Sequence, residues 1–459
     1  MKRLDLSRYS DMFTGYTELR VQENRNNRIA MVDGTILENS RDSASGVSAR
    51  SYRSGSWGFA SSPEINDDAI RHVIRAASDN ALFLDRHENR RESDLPASSA
   101  VGEWDFATKK TVAFRKDRID FVKGIDSYIS RKFKRIVSRT VVLNTLDMEK
   151  QLITSTGSKA FSMTPRSLMY IILAVDTSSG PVELFKVPAT LGQFEDVFAK
   201  PSLYYEKLDR LYEHLLRKAE GVFPGTGISD CILAADLAGI LAHEAIGHTT
   251  EADSVRGGSV AADYMDQMVA SPLVTLVDFA HTAMGETCPV PVHIDDEGTF
   301  AKDVTIIEDG VLRNYMHNRE SALEFGVEPT GNARGFMFSD EPLIRMRNTA
   351  ILPGRSTISE MIESVEDGYY LIQSSNGQAD STSEFMFGVV LGYEIKNGKL
   401  GRALRDTTIS GVAFDMLKTV SAVSDDMSWT CAGMCGKKQS IPVGMGGPAI
   451  KCRINIGGR

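Results

Sequence analysis

The first 60 residues alternate between short apolar runs and turn residues, which is the pattern of a β meander. The segments TELRVQE and NRIAMVD come first, and Asp33-Gly34 after them is a strong hairpin turn signal. SGVSARSY and SWGFASS follow with the same alternation. We therefore predict that the chain opens with antiparallel strands.

Three later segments have the apolar spacing of amphipathic helices. In NDDAIRHVIRAASDNALFL, Asn66 is the expected N-cap, and apolar residues recur at 69, 70, 73, 74, 77 and 81. FRKDRIDFVKGIDSYISRKF has the same spacing. The third segment starts at Pro201 and ends at Gly221, the usual punctuation of a helix. Between the second and third segments, residues 138–187 are rich in β-branched residues and predict strands.

The second half of the chain is predicted to be β-rich. VFPGTG at 222–227 is the best candidate for a domain boundary, and one strand and one helix follow it. From about residue 270 the pattern is one of strands and turns, with hairpin signals at Asp309-Gly310 and Asn397-Gly398. We predict an α+β fold with two domains: residues 1–222 hold strands and amphipathic helices, and residues 223–459 form a mostly antiparallel β domain with one metal-binding helix.

Composition narrows the class of protein. The 459 residues are 42% hydrophobic and 25% charged, as in an ordinary globular protein, and the net charge of −9 argues against a nucleic-acid or anionic-membrane binder. No run of 18 apolar residues predicts a membrane span, and the basic N-terminus lacks the apolar run of a secretory signal. Five cysteines are few and odd in number, so we expect free thiols and a cytoplasmic location.

The segment LAHEAIGHTTEADSV, from Leu241 to Val255, carries the candidate chemistry. His243 and Glu244 are followed by His248, one residue farther on than in the zinc-protease signature HExxH. In a regular α-helix, residues five apart point about 140° away from each other. A single π-type turn would bring the two imidazoles back together, and Gly247 would lower the cost of that distortion or of ending the helix there.

Two neutral imidazoles on such a turn can bind a divalent metal, most plausibly Zn²⁺, with Glu244 beside it as a general base. The alternative is that both histidines make ordinary hydrogen bonds. A catalytic zinc also needs a third protein ligand. From the residues alone this is an acid such as Glu251 or Asp253, another histidine, or a thiolate.

Cys435 is the thiolate that draws attention, since it lies between Gly433 and Gly436 and precedes Lys437 and Lys438. Cys431 competes with it, and either cysteine could instead be a small buried side chain in a loop.

Several segments in order resemble the TldD/PmbA family of bacterial and archaeal metallopeptidases. They are HEAIGHTTEADSV, HIDDEGTFAKDVTIIEDGVLRNYMHN, EPTGNARG, the LPG at 352–354, FMFGVVLGYEIKNGKLG with TISG, and GMCGKKQSIPVG, together with SGSWGFASS near the start. The resemblance covers most of the chain and is clearest from residue 226. One departure is HTTEADSV, where relatives often have HGLEGD; Glu251 and Asp253 keep the acidic positions but the glycines are replaced.

The resemblance implies His243, His248 and Cys435 as zinc ligands and Glu244 as the catalytic base. It also implies the TldD-like, metal-bearing type of member, because PmbA-like relatives lack HExxxH. Family members form homodimers, or heterodimers of the two types, and cleave unfolded or short peptides in a shielded internal cavity. We therefore expect a zinc metallopeptidase of this kind.

Other polar residues are weaker candidates for a functional role. Glu251 is a candidate partner that orients an imidazole, and Asn332 and Arg334, in a polar glycine loop, are candidates to line the substrate path. Asp295 and Asp296 in HIDDEG are expected to shape a turn rather than bind a cation. His293 and His317 are expected on strands, as ordinary strand histidines.

The alternative function is a non-catalytic modulator or partner subunit with a structural metal. Glu244 separates the two functions, because a structural metal site needs no base. For the peptidase, an exposed sheet edge is the expected way to hold an extended peptide through its main chain.

Overall fold

The computed structural model describes residues 3–88 and 94–457. It contains 25% helix and 43% strand, which confirms the predicted α+β class. The α-helices are α1 (Asp67–Glu88), α2 (Arg115–Lys132), α3 (Phe194–Val197), α4 (Tyr205–Ala219), α5 (Ala235–Leu241), α6 (Ala252–Arg256), α7 (Arg319–Phe325), α8 (Ile358–Glu363) and α9 (Ala413–Lys418). No helix in these two ranges is long and apolar enough to cross a membrane.

Short 3₁₀ segments lie at Leu6–Met12, Pro201–Tyr204, His248–Thr250 and Val260–Asp263, and a π-helical segment lies at Ala242–Gly247. The strands of the first half are β1 (Tyr16–Val32), β2 (Thr35–Arg53), β3 (Ser56–Ser62), β4 (Val101–Asp105), β5 (Ile136–Thr154), β6 (Lys159–Thr177), β7 (Gly180–Lys186) and β8 (Ala189–Leu191). The strands of the second half are β9 (Gly227–Leu233), β10 (Leu276–Phe279), β11 (Thr282–Ala283), β12 (Glu286–Thr287), β13 (Val304–Glu308), β14 (Val311–Leu312), β15 (Ala333–Arg334), β16 (Leu343–Ile344), β17 (Asn348–Ile351), β18 (Asp367–Ala379), β19 (Glu384–Lys396), β20 (Lys399–Ala403), β21 (Thr407–Val412), β22 (Ala422–Val423), β23 (Ser428–Thr430), β24 (Met434–Cys435), β25 (Ile441–Pro442), β26 (Gly444–Gly447) and β27 (Ile450–Ile456).

The first half of the chain forms one large sheet in the order β3-β2-β1-β5-β6-β4, with β7 and β8 also paired to β6. Asp33 and Gly34 both have positive φ, at 48° and 85°, as the predicted hairpin turn requires. TELRVQE and NRIAMVD prove to be one strand rather than two. The polar residues between them stay in the ladder because β1 is paired on both sides, with β2 and with β5.

The two faces of this sheet have different neighbours. Leu19 and Val21 of β1 lie in the apolar core under α1, and α2 and α4 cover another apolar cluster that includes Ile29. Arg20 and Gln22 alternate with these residues, so they face the other way. Their side chains donate hydrogen bonds to backbone carbonyls of the loop at 336–340, in the second half of the chain. The large sheet therefore meets the second half of the chain through a buried polar face.

The second half of the chain contains a small closed ring of strands. Strand β18 pairs with β9, β9 with β27, β27 with β21, β21 with β19, and β19 again with β18. A six-stranded sheet in the order β14-β13-β10-β17-β26-β23 lies beside it. Helix α5 packs in the same apolar core as residues of both sheets, through Leu237, Ala238 and Leu241. The helix that carries the histidines is thus enclosed by β structure.

More than one helix follows residue 222, so the expectation of a single helix there is wrong. Helices α6 to α9 have only five to seven residues each, too few to show an apolar period in the sequence. Two of them begin with capping boxes, in which the side chains of Asn318 and Thr357 accept backbone hydrogen bonds. His293 and His317, expected on strands, lie in loops between short elements.

One buried arginine joins the two halves of the chain. Arg50 of β2 is 4% exposed and donates to both carboxylate oxygens of Glu18 on β1, at 3.0 Å each. It also donates to Glu297 in the second half of the chain. Removing the guanidinium would leave two carboxylates buried side by side without a counter-charge, which is strongly unfavourable.

We expect Arg50→Met to lower the free energy of unfolding by about 3–5 kcal/mol, as for other broken buried ion pairs. Chemical denaturation of the full chain measures it. The matched control is Arg53→Met on the same strand, since Arg53 pairs with Asp85 while 58% exposed and should contribute about 1 kcal/mol or less. Equal effects of the two substitutions would contradict this account of the junction.

Candidate metal centre

The helix that carries HEAIGH changes its hydrogen-bond period within the motif. Helix α5 gives way to the π-helical segment Ala242–Gly247, and the backbone N–H of His248 donates to the carbonyl of His243, five residues earlier. The predicted irregular turn is therefore confirmed. It brings the two imidazole rings to a centroid separation of 5.2 Å, at an angle of 76°.

Gly247 has a different role from the one expected. Its backbone is helical, with φ −57°, and the chain continues into a 3₁₀ turn at His248–Thr250. A Cβ at this position would lie 1.9 Å from Sδ of Met346. The helix does not end at this glycine, and the absence of a Cβ lets the Met346 side chain pack closely against it.

Three side chains meet beside this turn. One ligand atom each from His243, His248 and Cys435 lies within 4.8 Å of the others, and Cys435 Sγ is 3.2 Å from His248 Nε2. His243 is 1% exposed and Cys435 is 2% exposed. Within residues 3–88 and 94–457, these side chains form the one group of at least three potential ligands that lie close enough together to share a metal ion.

The donor atoms fit a metal ion. Both ring nitrogens of His243 are buried without a hydrogen-bond partner among the described residues, which is costly unless something else occupies a lone pair. Burial raises the pKa of the Cys435 thiol, but its interactions with His243 and His248 outweigh burial and lower the pKa to about 3. Burial lowers the pKa of His248, but hydrogen bonds to Cys435 and Glu251 outweigh it and raise that pKa to about 10. Without a metal the pair is therefore a thiolate and an imidazolium, and a metal ion would take the place of the shared proton.

Glu244 lies on the open side of this cluster. Its side chain is 24% exposed, and Oε2 is 3.7 Å from His248 Nε2, the ring nitrogen that also faces Cys435. The carboxylate is thus next to the ligand atoms and accessible to water. That is the position a general base needs if it is to accept a proton from a water molecule bound there.

Glu251 fixes the orientation of the His248 ring from the side that faces away from Cys435. Its carboxylate is fully buried and accepts a hydrogen bond from His248 Nδ1 at 2.9 Å, which leaves Nε2 to face the cluster. Lys437 contacts the same carboxylate at 3.1 Å and Asp253 at 2.7 Å. Lys437 therefore links the segment after Cys435 to the segment after His248. Neither Glu251 nor Asp253 contributes a ligand atom to the cluster of His243, His248 and Cys435.

The competing cysteine lies elsewhere. Cys431 Sγ is 3.7 Å from the carbonyl of Pro289, and burial raises the pKa of this thiol to about 11. A thiol with so high a pKa remains protonated at neutral pH and is a poor metal ligand. The geometry favours Cys435 over Cys431.

Asn332 and Arg334 are both buried, and their place on a substrate path stays a prediction. Asn332 donates to Asp278 and to the carbonyl of Arg345. Arg334 donates to the carbonyls of Met346 and Pro442. Both side chains support the backbone around the centre, and Arg334 also borders a small cavity shared with Lys150 and Trp104.

The remaining candidates stand apart from the cluster. His293 is stacked between the rings of Trp104 and His281, at centroid distances of 4.4 and 4.3 Å. His317 is buried beside Ser321. Asp295 accepts hydrogen bonds from the backbone N–H groups of Glu297 and Thr299, which is the expected turn. Asp296 accepts from Lys150 and from the N–H of Gly335.

Two arginines that the sequence did not single out contact the segment around Cys435. Arg345 is fully buried and donates to the carbonyls of Cys435, Lys437 and Gln439. Arg166, on β6 of the large sheet, donates to the carbonyls of Ala432 and Gly433. The sequence does carry a signal for Arg345, which lies in the segment LIRMRN. Charged side chains that interrupt an apolar run are expected to be buried, and a buried charge needs hydrogen-bond partners.

Comparison of the sequence with known families gives two matches. The profile described as "PmbA/TldA metallopeptidase C-terminal domain" matches residues 226–458, and "PmbA/TldA metallopeptidase domain 1" matches residues 17–81. The chain is 30% identical to a metalloprotease of Methanocaldococcus jannaschii, over 95% of each protein. It is 27% identical to a zinc metalloprotease TldD homologue of Saccharolobus solfataricus, over 95% of this chain and 96% of that protein.

Two solved structures share the fold. TldE from Thermococcus kodakarensis superposes with a TM-score of 0.77 at 18% identity, over 99% of both chains. A protein from Thermotoga maritima superposes with a TM-score of 0.79 at 18% identity, over 96% of both chains. The likeness therefore extends over nearly the whole chain, including the large sheet as well as the half that holds the cluster.

We expect Gly247→Ala to disturb the centre, because the new methyl group would overlap the fully buried Met346 side chain, so that either this side chain or the π segment must shift. The free energy of unfolding should fall by about 1–3 kcal/mol, as for other overpacked cores, and the bound metal per chain should fall with it. The control is Gly436→Ala, next to Cys435, where a Cβ meets nothing within 4 Å. Unfolding and metal analysis of both variants check this; a Gly247→Ala protein with normal metal content would contradict it.

Proposed function

The chain belongs to the PmbA/TldD metallopeptidase family, and from this premise we propose that it is a zinc-dependent peptidase that hydrolyses unfolded or short peptides. One observation carries the proposal: the ligand atoms of His243, His248 and Cys435 lie within 4.8 Å of one another, with the Glu244 carboxylate beside them. A site for a structural metal would require the three ligands but not the exposed acid. The arrangement therefore favours an enzyme over the alternative, a modulator subunit with a structural metal.

Zinc is the metal that this donor set suits best. Imidazole and thiolate are the ligands that zinc prefers, and three protein ligands leave the fourth position of a catalytic zinc site to water. When bound, zinc would lower the pKa of a water molecule towards about 7 and polarise the scissile carbonyl. The roles of the surrounding side chains follow from where they lie.

Glu244 is the residue that moves protons. Its carboxylate accepts a proton from the attacking water and then donates it to the amine nitrogen of the leaving peptide. Its 24% exposure keeps it in contact with incoming water and substrate. Glu251 holds the His248 ring in the tautomer that presents Nε2, and the buried His243 keeps bulk water away from the inner side of the site.

An extended substrate can be held by main-chain hydrogen bonds on a sheet edge. Strand β23 is one of the two outer strands of the six-stranded sheet, and its chain leads directly into the segment that carries Cys435. A peptide paired there would be selected for being extended rather than for its sequence. A strict requirement for one side chain next to the cut would argue against this mode of binding.

We propose that the protein acts as a dimer, either with a second copy or with a PmbA-like paralogue. The family resemblance supports this partner, and the size-exclusion profile of the purified chain, alone and mixed with the paralogue, tests it. A chain that stays monomeric in both conditions would overturn this part of the proposal.

Glu244→Gln removes the base and keeps the shape of the side chain. We expect cleavage of an unfolded protein substrate to fall by about 10²–10⁴-fold, the usual contribution of general acid–base catalysis, while bound zinc stays at the wild-type level. Peptidase assay and metal analysis of one preparation measure both. Cleavage at the wild-type rate by this variant would favour the modulator alternative.

Removal of the metal gives a second test. Dialysis against a chelator should abolish cleavage, and added Zn²⁺ should restore it.

Cys435→Ala should bind zinc far more weakly than the wild type and lose activity, because the third ligand is gone. Cys431→Ala is the matched control, since its sulfur lies outside the cluster. If Cys431→Ala loses zinc and Cys435→Ala keeps it, the assignment of the third ligand is wrong.

A further inference from the structure

The segment that supplies the thiolate has little structure of its own. We refer to residues 431–442 as the Cys435 loop. Its only paired strands are β24 and β25, two residues each, in which Cys435 lies opposite Ile441. A loop with so few main-chain pairs would be expected to lose much conformational entropy when a metal fixes its cysteine. What holds the loop in place therefore affects how tightly the metal binds.

The buried guanidinium of Arg345 donates hydrogen bonds to three backbone carbonyls of this loop. Arg345 donates to the carbonyl of Cys435 at 2.8 Å, of Lys437 at 3.0 Å and of Gln439 at 2.7 Å. The acceptors come from alternate residues, so the backbone must curl around the guanidinium. The carbonyl and the side chain of Cys435 leave the same short stretch of backbone, so fixing the first restricts the direction of the second.

The charge of Arg345 has no ordinary ion-pair explanation. The side chain is fully buried, and no carboxylate of the described residues lies within ion-pair distance of it. Burying a cation without a counter-ion is costly, and hydrogen bonds from charged donors to carbonyls recover part of that cost. The carbonyls that recover it all belong to the Cys435 loop, so the arginine and the loop geometry depend on each other.

A second guanidinium holds the other end of the loop. Arg166 is 7% exposed and donates to the carbonyl of Gly433 at 3.0 Å and of Ala432 at 3.3 Å. It belongs to β6, so its anchor is the large sheet of the first half of the chain. The backbone at Cys435 is thus bound directly by Arg345, and the two residues bound by Arg166 lie just before it, so the loop is anchored in both halves of the molecule.

We propose that Arg345 and Arg166 are positioning residues of the metal centre, whose guanidiniums set the backbone of the Cys435 loop so that the thiolate meets His243 and His248 before metal arrives. This inference rests on the proposed function in assuming that a metal binds at the cluster. It adds that the large sheet, which contributes no ligand, takes part in the metal site. Arg345 and Arg166 donate to backbone carbonyls of the Cys435 loop and not to the ligand atoms, so their effect is on geometry.

The experiment uses Co²⁺ binding to the full chain, since a cobalt–thiolate bond gives a charge-transfer absorption that reports the Cys435 geometry. We expect Arg345→Gln to raise the Co²⁺ dissociation constant about 10–100-fold, the usual effect of losing an outer-shell partner, and to weaken the charge-transfer band. Arg345→Lys keeps the charge but loses the fork, so it should recover only part of the affinity. Arg166→Gln, on a different sheet, should shift both quantities in the same direction.

The matched control is Arg347→Lys. Arg347 is equally buried, but it pairs with Asp278 and donates to carbonyls outside the Cys435 loop, such as that of Lys302. It should lose stability while keeping the wild-type band and dissociation constant in the folded protein. If Arg345→Gln does not fold, Arg166→Gln and Arg345→Lys carry the test.

The outcomes separate this inference from the proposed function. If wild type shows no charge-transfer band that depends on Cys435, the metal site itself is wrong. If wild type shows the band and Arg345→Lys, Arg345→Gln and Arg166→Gln match its affinity and spectrum, the positioning role is overturned while the peptidase stands. A loss of affinity in Arg347→Lys equal to that in Arg345→Lys would also overturn it, because burial alone would then explain the effect.

Discussion

The centre depends on one backbone hydrogen bond, from the N–H of His248 to the carbonyl of His243. A regular turn would bond residues four apart and point the two rings about 140° away from each other. The wider turn places them on one side, and the same step leaves Glu244 beside the ligand atoms instead of in the core. The turn survives because close packing supports it: Gly247 lies against Met346, and Thr249 and Thr250 return hydroxyl hydrogen bonds to the helix carbonyls. Thr249 and Thr250 therefore help to hold the turn in place.

The third donor comes from 187 residues farther along the chain, so no local rule can place it. Tertiary structure supplies it through a loop that is almost without main-chain pairing and that is held by side chains from both halves of the molecule. Lys437 adds a direct link, since it contacts the acids that follow the second histidine. The first half of the chain, which offers no ligand, is joined to the second through buried polar contacts of Arg20, Gln22 and Arg50. Its sheet is part of the frame in which the cluster forms.

Features with a short-range cause were predictable from the sequence. Helix α1 begins after Asn66, whose side chain accepts from the N–H of Ala69, and Asp33-Gly34 turns the chain as expected. The π turn followed from a count of residues between two histidines. What escaped prediction has long-range causes. The polar middle of β1 is a strand because partners on both sides complete its ladder. Arg345 and Arg166 matter because of where distant carbonyls lie, and the short helices after residue 222 have too few turns to show a period.

The ring of strands has a consequence for the order of events during synthesis. Strand β9, which leads straight into the helix with the histidines, pairs with β27, the last strand within the described residues. The ribosome releases the histidine helix about 200 residues before that partner, which at 5–20 residues per second is a wait of roughly 10–40 s. Until then the helix has no complete apolar enclosure, and the segment with Cys435 is synthesised only shortly before β27. A nascent chain can therefore assemble the three ligands only after both of these segments have been made and the ring of strands can close.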